Sequence, residues 1–461
     1  MGDYKRLDLV IKGGTVVLSD EVRLLDIGLK DGKIAQLSER IDAAASGAGV
    51  LNASGLTIMA GMVDAHVHLN EPGLGHWEGF ETGSAALAAG GCTSYMDMPL
   101  NGQPPTVTVA AMEQKLAAAS HQSYVDYALW GGLVPGKLEH LEPLAAAGVI
   151  GYKAFMSYPG GSGEDIFREV DDYTLLEGMK RIARLGRVLA LHAESEPIVS
   201  RLSERMQAEG KLAPADYIAS RPVIAELEAI NRALFYAEQT GCPLHFVHIS
   251  SAEGVRLIEE AKRRGIDVTV ETCPHYLLLT ADAMETKGAA AKCSPPMRDA
   301  RNLELMWRAV ADGHIDMIGS DHSPSPSELK RGDHFFAAWG GIAGAQSSVE
   351  LIVGEGHIKR GIPLPLISRL LSAGPARRFG LSETKGEIRI GADGDLVLLD
   401  LNKPYMLEES HLYQRHKHSP YIGETMRCKV AATLCRGAIV YEEGGGLAKA
   451  KAGQWVKHQA I

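Results

Sequence analysis

His66 and His68 are the residues of this 461-residue chain whose type and spacing first suggest chemistry. They follow an apolar run, residues 56–60, that is typical of a buried strand. Residues two positions apart on an extended backbone point to the same side, so both imidazoles can reach one metal ion. A pair of histidines at this spacing also occurs by chance, so the hypothesis requires matching ligands from elsewhere in the chain.

From residue 56 onwards the sequence predicts strands that alternate with longer helices, which is typical of a parallel sheet built from βα units. The helical segments include residues 223–237 and 252–264. The candidate strands are residues 57–64, 93–97, 124–130, 149–154, 188–192, 244–248, 268–272 and 315–319. Eight strands with helical crossovers favour an α/β fold of the (β/α)8 barrel type, with a doubly wound open sheet as the alternative.

Both ends of the chain are rich in predicted strands and turns. The pair Asp31-Gly32 predicts a hairpin near the N-terminus, and residues 395–400 and 430–441 are the best strand candidates near the C-terminus. Because two β-rich ends flank one barrel, we expect them to pair into one small domain that is discontinuous in sequence.

Titratable residues follow five of the predicted strands at their carboxyl ends, where barrel enzymes place their active sites. In chain order they are His66 with His68, Lys153, His192, His248 and Asp321. Each residue alone could be an ordinary polar group, but the set at matching positions predicts a single shared cavity. Imidazoles and carboxylates are ligands for Zn2+ and similar divalent ions.

Lys153 is the unusual member of this set, because an ammonium group is repelled by cations and cannot donate a lone pair. If its amine captures CO2, the resulting carbamate can bridge two metal ions, which lie ~3.5–4 Å apart in two-metal sites. Asp321 could then hold one ion, accept a proton from the attacking water and return it to the leaving nitrogen. A salt bridge is the alternative for Lys153, and the apolar residues on either side disfavour it.

With these residues in hand, the chain resembles the amidohydrolase superfamily and, within it, the cyclic amidohydrolases, over nearly its whole length. The resemblance implies a (β/α)8 TIM barrel, residues 56–385, and a small β-sandwich formed by residues 1–55 and 386–461. It implies two divalent metal ions, Zn2+ or alternatively Co2+ or Mn2+. Their implied ligands are His66, His68 and Asp321 for one ion, His192 and His248 for the other, and a carboxylated Lys153 as the bridge.

Shorter segments resemble the allantoinase branch in particular, which opens the ring of allantoin to give allantoate. These are residues 71–73, 77–83, 98–101, 292–296, 320–324, 339–344 and 415–421. In dihydroorotases an arginine usually follows the motif His-x-His-Leu. This chain has Asn70 at that position. The bidentate clamp for a substrate carboxylate is therefore missing, which disfavours dihydroorotate.

The same resemblance implies candidate substrate contacts. Asn70 and Asn101 suit a neutral polar ring with a ureido arm. Ser294 and Gly340 match positions at which hydantoinases bind the imide through backbone groups, and Ser323 is a further candidate.

Tyr158 follows Lys153 by five residues, as in dihydropyrimidinases, where this tyrosine donates a hydrogen bond to the developing oxyanion. It could equally be a loop aromatic that packs on its neighbours, and hydantoinase or dihydropyrimidinase activity stays open as the alternative. The glycine-rich residues 159–163 could form a lid or an inert turn. His275 and His322 could orient metal ligands or be plain structural histidines.

Composition narrows the classes of partner. The net charge of -10 argues against nucleic acid or an anionic membrane, and no apolar run reaches the ~20 residues of a membrane span. The six cysteines form no C-x-x-C pair and residues 1–6 lack an apolar stretch, which predicts a cytoplasmic enzyme without a signal peptide. We expect a small-molecule substrate, and the resemblance implies a homotetramer. A non-catalytic scaffold of the same superfamily is disfavoured because such proteins have lost the ligands that are complete here.

Overall fold

A barrel of parallel strands forms the centre of the fold in the computed structural model, which describes residues 6–161, 166–332 and 334–458. Within these residues the eight barrel strands are Met62–Val67, Cys92–Asp97, Asp126–Leu129, Tyr152–Phe155, Leu189–His192, Leu244–Phe246, Val268–Thr272 and Met317–Ile318. Nearly every residue of these strands is buried, as expected where helices cover a parallel sheet. The fold is therefore a (β/α)8 barrel with a small β-sandwich attached, and the open-sheet alternative is wrong.

Two strand pairings close the barrel. The third strand continues beyond Trp130 as Gly131–Gly132, and there it changes its hydrogen-bonded neighbour from Cys92–Asp97 to Tyr152–Phe155. At the other seam, the amide of His68 donates to the carbonyl of His322 over 2.7 Å. The seam therefore lies beside the residues that were predicted to bind metal.

The predicted first strand, residues 57–64, is wrong in its bounds, because the chain forms two strands there. Thr57–Ala60 belongs to the β-sandwich, and only Met62–Val67 belongs to the barrel. Gly61 lies at the corner, where a Cβ atom would come within 2.2 Å of the Thr93 side chain. The corner is not visible in the sequence, because both strands are buried and together form one continuous apolar run.

The largest sheet unites the two ends of the chain. Its nine strands in the described residues are Leu9–Val17, Val22–Lys30, Lys33–Ser38, Gly49–Asn52, Thr57–Ala60, Leu396–Asp400, Lys429–Cys435, Ala438–Glu442 and Gly446–Leu447. Thr57–Ala60 pairs in parallel with Leu9–Val17 and antiparallel with Leu396–Asp400, so the two ends meet at this strand. The predicted hairpin through Asp31-Gly32 is confirmed. A separate pair joins Tyr405–Met406 to Thr425–Met426.

Helices surround the barrel. The α-helices are Ala43–Ser46, Phe80–Ala89, Val109–Ala119, Leu141–Ala147, Asp172–Arg184, Glu196–Ala208, Pro214–Ala219, Val223–Thr240, Ala252–Arg263, Pro274–Leu278, Ala283–Thr286, Ala300–Ala311, Ser348–Ile352, Leu364–Ser368 and Gly374–Arg378. Short 3-10 helices span Leu138–His140, Gly288–Ala291, Ser327–Lys330, Ala345–Ser347 and Glu409–His411, and π-helical turns span Val353–Lys359 and Arg369–Ala373. Among the described residues, no helix has both the length and the hydropathy to cross a bilayer.

The helix Asp172–Arg184 shows how the sequence directs these elements. The side chain of Asp171 caps its N-terminus by accepting a backbone N–H of the first turn. Leu175, Met179 and Ile182 recur at spacings of four and three residues and are buried. This stripe packs the helix against the barrel and leaves its charged face in water.

A buried ion cluster joins the third barrel strand to the C-terminal part of the sandwich. The ammonium of Lys385 lies 2.6 Å from Asp126, 2.7 Å from Asp395 and 3.0 Å from Asp393. Burial alone would lower the pKa of Lys385, but the charges of these carboxylates outweigh burial and raise it. The three carboxylates are close enough together to hold a cation, and Lys385 already serves as that cation.

We predict that Lys385→Met lowers the free energy of unfolding by about 3–5 kcal/mol, because it leaves the buried Asp395 without a counter-charge. Asp126 and Asp393 keep their pairs with Arg436 and Lys33. Urea denaturation followed by circular dichroism measures this value. The matched control is Lys180→Met, which removes a surface ion pair with Glu177 and should cost less than about 1 kcal/mol. Equal, small effects of the two substitutions would contradict a structural role for the cluster.

Candidate functional site

His66, His68 and Asp321 converge at the carboxyl end of the barrel. His66 lies in the first strand, His68 directly follows it, and Asp321 follows the eighth strand in a left-handed backbone conformation with φ 46°. The Nε2 atoms of His66 and His68 lie 3.2 and 3.3 Å from Oδ1 of Asp321. The ligand atoms of the three residues all lie within 4.8 Å of one another, which suits one divalent ion.

Glu271 sets the tautomer of His66. Its Oε1 atom lies 2.8 Å from Nδ1 of His66, and it also accepts the backbone N–H of His248 over 3.2 Å. Burial opposes ionisation of Glu271, but the neighbouring His66 and His245 hold its pKa down at about 2. The carboxylate therefore keeps the proton of His66 on Nδ1 and leaves the Nε2 lone pair directed at the site.

A second pair of imidazoles meets across the fifth and sixth strands. Nδ1 of His192 lies 2.9 Å from Nε2 of His248. Nε2 of His192 lies 2.9 Å from Glu194, which is itself paired with Arg221 over 2.6 Å. Since Glu194 accepts the proton on Nε2, His192 presents its Nδ1 lone pair towards His248, as two ligands of one ion would.

Lys153 lies between these groups in a form that suits carboxylation. Its side chain is fully buried in the fourth strand, and Nζ has no hydrogen-bond partner among the described residues. Burial lowers the pKa of Lys153 to about 7, although Asp321 and Glu271 act in the opposite direction. A neutral amine is the form that reacts with CO2, and the salt-bridge alternative is unsupported, since no described carboxylate pairs with Lys153.

The donor set as a whole fits divalent metal. The ring centroids of His66 and His248 lie 5.4 Å apart, which joins the four imidazoles and the Asp321 carboxylate into one buried group. Carboxylates orient His66 and His192. Burial opposes ionisation of Asp321 as well, but His66, His68 and His248 hold its pKa well below the usual range. A carboxylate that stays ionised is a good metal ligand.

The two asparagines predicted to contact substrate share an unusual backbone conformation, with φ 67° at both Asn70 and Asn101. Asn70 is buried and donates from Nδ2 to the carbonyl of Pro324 over 3.3 Å, which leaves its Oδ1 unpaired among the described residues. Asn101 lines a cavity of about 300 Å³ together with Trp77, Phe167 and Trp339.

Ser294, Ser323 and Gly340 lie on loops that are joined by backbone hydrogen bonds. The N–H of Gly341 donates to the carbonyl of Lys292 over 2.7 Å, and the N–H of Ser323 donates to the carbonyl of Ile342 over 2.9 Å. The hydroxyl of Ser294 is hydrogen-bonded to the hydroxyl of Tyr217. The three candidates thus belong to one loop layer, and their contact with substrate stays a prediction.

Tyr158 is not brought to the ligand group by any contact in this structure. Its side chain is 42% exposed, its hydroxyl donates to the carbonyl of Gly161, and its amide donates to Glu196 over 2.7 Å. Of the glycine-rich loop, Ser162 and Gly163 lie outside the described residues. The role of Tyr158 in catalysis stays a prediction.

His322 orders the loop that follows the eighth strand. Its Nδ1 accepts the N–H groups of Gly344 and Ala345 over 3.2 and 3.3 Å, while its carbonyl accepts from His68. His275 is fully buried, and neither ring nitrogen has a partner among the described residues. Burial lowers the pKa of His275 to about 4, so this imidazole is neutral at pH 7.

The late segment, residues 415–421, packs against the loops around the site. The N–H of Arg415 donates to Glu78 over 3.0 Å, and ring nitrogens of His416 and His418 lie 2.9 and 2.8 Å from the carbonyls of His76 and Ser325. This segment therefore fastens the loop after the first strand to the loop after the eighth strand.

The roles of Glu271 and Glu194, the carboxylates that orient His66 and His192, were not predicted from the sequence. Glu271 interrupts an otherwise apolar and β-branched strand, Val268–Thr272, at a buried position. Glu194 follows His192 at the same two-residue spacing that separates His66 from His68. Both signals are visible in the sequence, but neither identifies the imidazole that each carboxylate orients.

The chain matches known proteins over nearly its whole length. The sequence profile described as the amidohydrolase family matches residues 57–440. The chain is 48% identical to the allantoinase of Deinococcus radiodurans, over 95% of this chain and 96% of the relative. It is 46% identical to the allantoinase of Solibacter usitatus, over 96% of this chain and 97% of the relative.

Solved structures show the same fold. The L-hydantoinase (dihydropyrimidinase) of Arthrobacter aurescens superposes with a TM-score of 0.93 at 35% identity, covering 98% of this chain and 100% of that chain. The dihydropyrimidinase of Brevibacillus agri superposes with a TM-score of 0.91 at 30% identity, covering 98% and 99%.

We predict that Glu271→Gln weakens divalent metal binding by about 10–100-fold, because His66 loses the charged acceptor that orients it. Competition titration of the metal-free protein with a chromophoric chelator measures this affinity. Glu285→Gln, at an exposed position, is the control and should bind metal like the wild type. Equal affinities in the two variants would show that Glu271 does not orient the ligand.

Proposed function

This chain belongs to the amidohydrolase family, and we propose that within it the protein is an allantoinase, which hydrolyses the cyclic amide of allantoin to allantoate. The observation that carries this proposal is that His66, His68 and Asp321 have ligand atoms within 4.8 Å of one another, in a chain 44–48% identical to named allantoinases. Opening allantoin in this way is a step of purine degradation.

We assign the ligands by their contacts. His66, His68 and Asp321 would hold one divalent ion, and His192 and His248 the other, with a carboxylated Lys153 between them. Zn2+ suits these donors best, and Co2+ or Mn2+ would also fit. Such ions, when bound, would polarise the ring carbonyl and lower the pKa of water.

Asp321 is the proposed general base and acid. Its carboxylate stays ionised because His66, His68 and His248 surround it, so it can accept a proton from the attacking water. The oxygen of that water bonds to the ring carbonyl carbon, the carbon–nitrogen bond of the ring breaks, and Asp321 returns the proton to the departing nitrogen.

The substrate ring would lie between the asparagines and the loop layer. The unpaired Oδ1 of Asn70 can accept a ring N–H, and Asn101, Ser294, Ser323 and Gly340 complete the proposed contacts. Tyr158 can donate to the carbonyl oxygen only after its hydroxyl leaves the carbonyl of Gly161.

Hydantoinase activity is the second candidate, and one observation favours it. The cavity beside Asn101 is lined by Trp77, Phe167 and Trp339, which suit an apolar ring substituent better than a ureido arm. The complete ligand set disfavours the non-catalytic scaffold.

We further propose that residues 1–55 and 386–461 form the sandwich domain, to which Thr57–Ala60 adds a strand, and that the rest of residues 56–385 forms the barrel, in a cytoplasmic homotetramer. All six cysteines are buried and unpaired, which supports a reducing compartment. The tetramer rests on the family resemblance alone, and light scattering after size-exclusion chromatography measures it.

We predict that protein loaded with divalent metal and bicarbonate hydrolyses allantoin with a higher kcat/KM than dihydrouracil or 5-substituted hydantoins. A substrate panel assayed by release of titratable acid measures the ranking. Turnover of hydantoins without turnover of allantoin would replace the first function with the second.

We predict that Lys153→Ala lowers turnover about 1,000-fold or more, and that short carboxylic acids partly restore it by replacing the carbamate. Metal content and turnover are measured with and without acetate, with Lys180→Ala as the surface control. In the wild type, 13C NMR after labelled bicarbonate should show the carbamate carbon. Activity of Lys153→Ala without added acid would contradict the bridging role.

A further inference from the structure

The residues 334–341, which we call the clamped loop, form no regular secondary structure. Two lysine side chains hold this loop, together with backbone hydrogen bonds such as those from Phe335 to Leu212 and from Trp339 to Leu329. Lys292 reaches this loop from the segment that follows the seventh barrel strand. Its Nζ donates to the carbonyls of Phe335, Phe336 and Ala338 over 2.7, 3.1 and 2.5 Å. Burial lowers the pKa of Lys292 to about 7, and the three carbonyl acceptors favour the ammonium form, which alone provides three N–H donors.

Lys330 holds the other end of the clamped loop. Its Nζ donates to the carbonyls of Trp339 and Gly341 over 3.0 and 2.5 Å. The N–H of Gly341 in turn donates to the carbonyl of Lys292 over 2.7 Å. Five carbonyl groups of one short loop therefore point at two ammonium groups.

Neither lysine forms an ion pair with a carboxylate in the described part of the chain. Lys292 is 4% exposed, and its other close neighbours are the ring faces of Tyr217 and Phe335, at 4.6 and 5.4 Å. Burying an ammonium group without a counter-charge is unfavourable, so the carbonyl dipoles and ring faces must compensate. An apolar side chain would fill this space at lower cost if the loop needed no fixed position.

The clamped loop contains one residue that lines the cavity beside Asn101 and one candidate substrate contact. Trp339 lines the cavity beside Asn101 and meets Trp77 edge to face, with ring centroids 4.8 Å apart. Gly340 is a candidate substrate contact, and a Cβ atom there would have only the carbonyl of Lys292 within 4.0 Å. Fixing this loop therefore fixes one wall of the cavity.

We propose that Lys292 and Lys330 are positioning residues that act through the carbonyls of the clamped loop to set substrate affinity and the choice of ring substituent. They do not take part in bond making. This inference rests on the proposed hydrolysis of a cyclic amide, and it concerns the wall that receives the part of the substrate outside the ring.

The test compares Lys292→Met and Lys330→Met with the wild type as metal- and bicarbonate-loaded enzymes. We expect KM for allantoin to rise about tenfold or more with kcat within about threefold, because the loop contributes binding and not chemistry. Amide hydrogen exchange in residues 334–341 should accelerate about tenfold, while exchange in the barrel strand Leu189–His192 is unchanged. Lys330→Arg keeps the charge and should return both values towards wild type.

Lys287→Met is the matched control, because it removes a lysine that pairs with Glu424 and does not touch the clamped loop. The proposal would be overturned if both test variants showed the same amide hydrogen exchange and the same KM as this control. So would a loss confined to kcat. If Lys292→Met fails to fold, Lys330→Met, whose side chain is only partly buried, decides the question on the same two measurements.

The exchange measurement does not depend on the identity of the substrate. If the wild-type protein leaves allantoin intact, the proposed function fails. Accelerated exchange in the lysine variants would then still show the clamp, and a hydantoin with a bulky substituent would replace allantoin in the KM comparison.

Discussion

Burying four imidazoles and an amine at one end of a barrel is unfavourable unless acidic groups accompany them, and this constraint explains the arrangement of the site. Asp321 contacts His66 and His68, Glu271 contacts His66, and Glu194 contacts His192. Each carboxylate stays ionised despite its burial because imidazole or guanidinium groups face it. The ligand lone pairs are directed inward as a result. Burial lowers the pKa of Lys153 to about 7, although Asp321 and Glu271 oppose this shift.

The sequence could predict that His66, His68 and Asp321 lie together, because strand ends in a barrel meet at one place, whatever the helices between them do. The orienting carboxylates could not be predicted, since their partners lie on other strands and only the closed barrel brings them together. The position of Tyr158 depends on a loop, where local sequence does not determine which hydrogen bond a hydroxyl makes. The corner at Gly61 was missed because two buried strands of different sheets form a single apolar run.

Several features tie the site to parts of the chain that carry no ligand. Lys385 and its carboxylates fasten the third barrel strand to the sandwich, and residues 415–421 connect two loops at the mouth of the barrel. Lys292 and Lys330, on two other segments, hold the clamped loop. The fold therefore fixes the loops around the mouth of the barrel as well as the predicted metal ligands. It holds these loops mainly through polar contacts to their backbone groups.

The meeting of the two chain ends at Thr57–Ala60 has a consequence for synthesis on the ribosome. A nascent chain that has emerged up to residue 385 already contains every ligand, but it lacks Leu396–Asp400 beside that strand and the segment across the barrel mouth. In such a chain the sheet of the sandwich has an open edge at Thr57–Ala60, directly before the first barrel strand. The pocket can be completed only after translation has almost finished, so a truncated chain would carry all the ligands and yet hold no finished site.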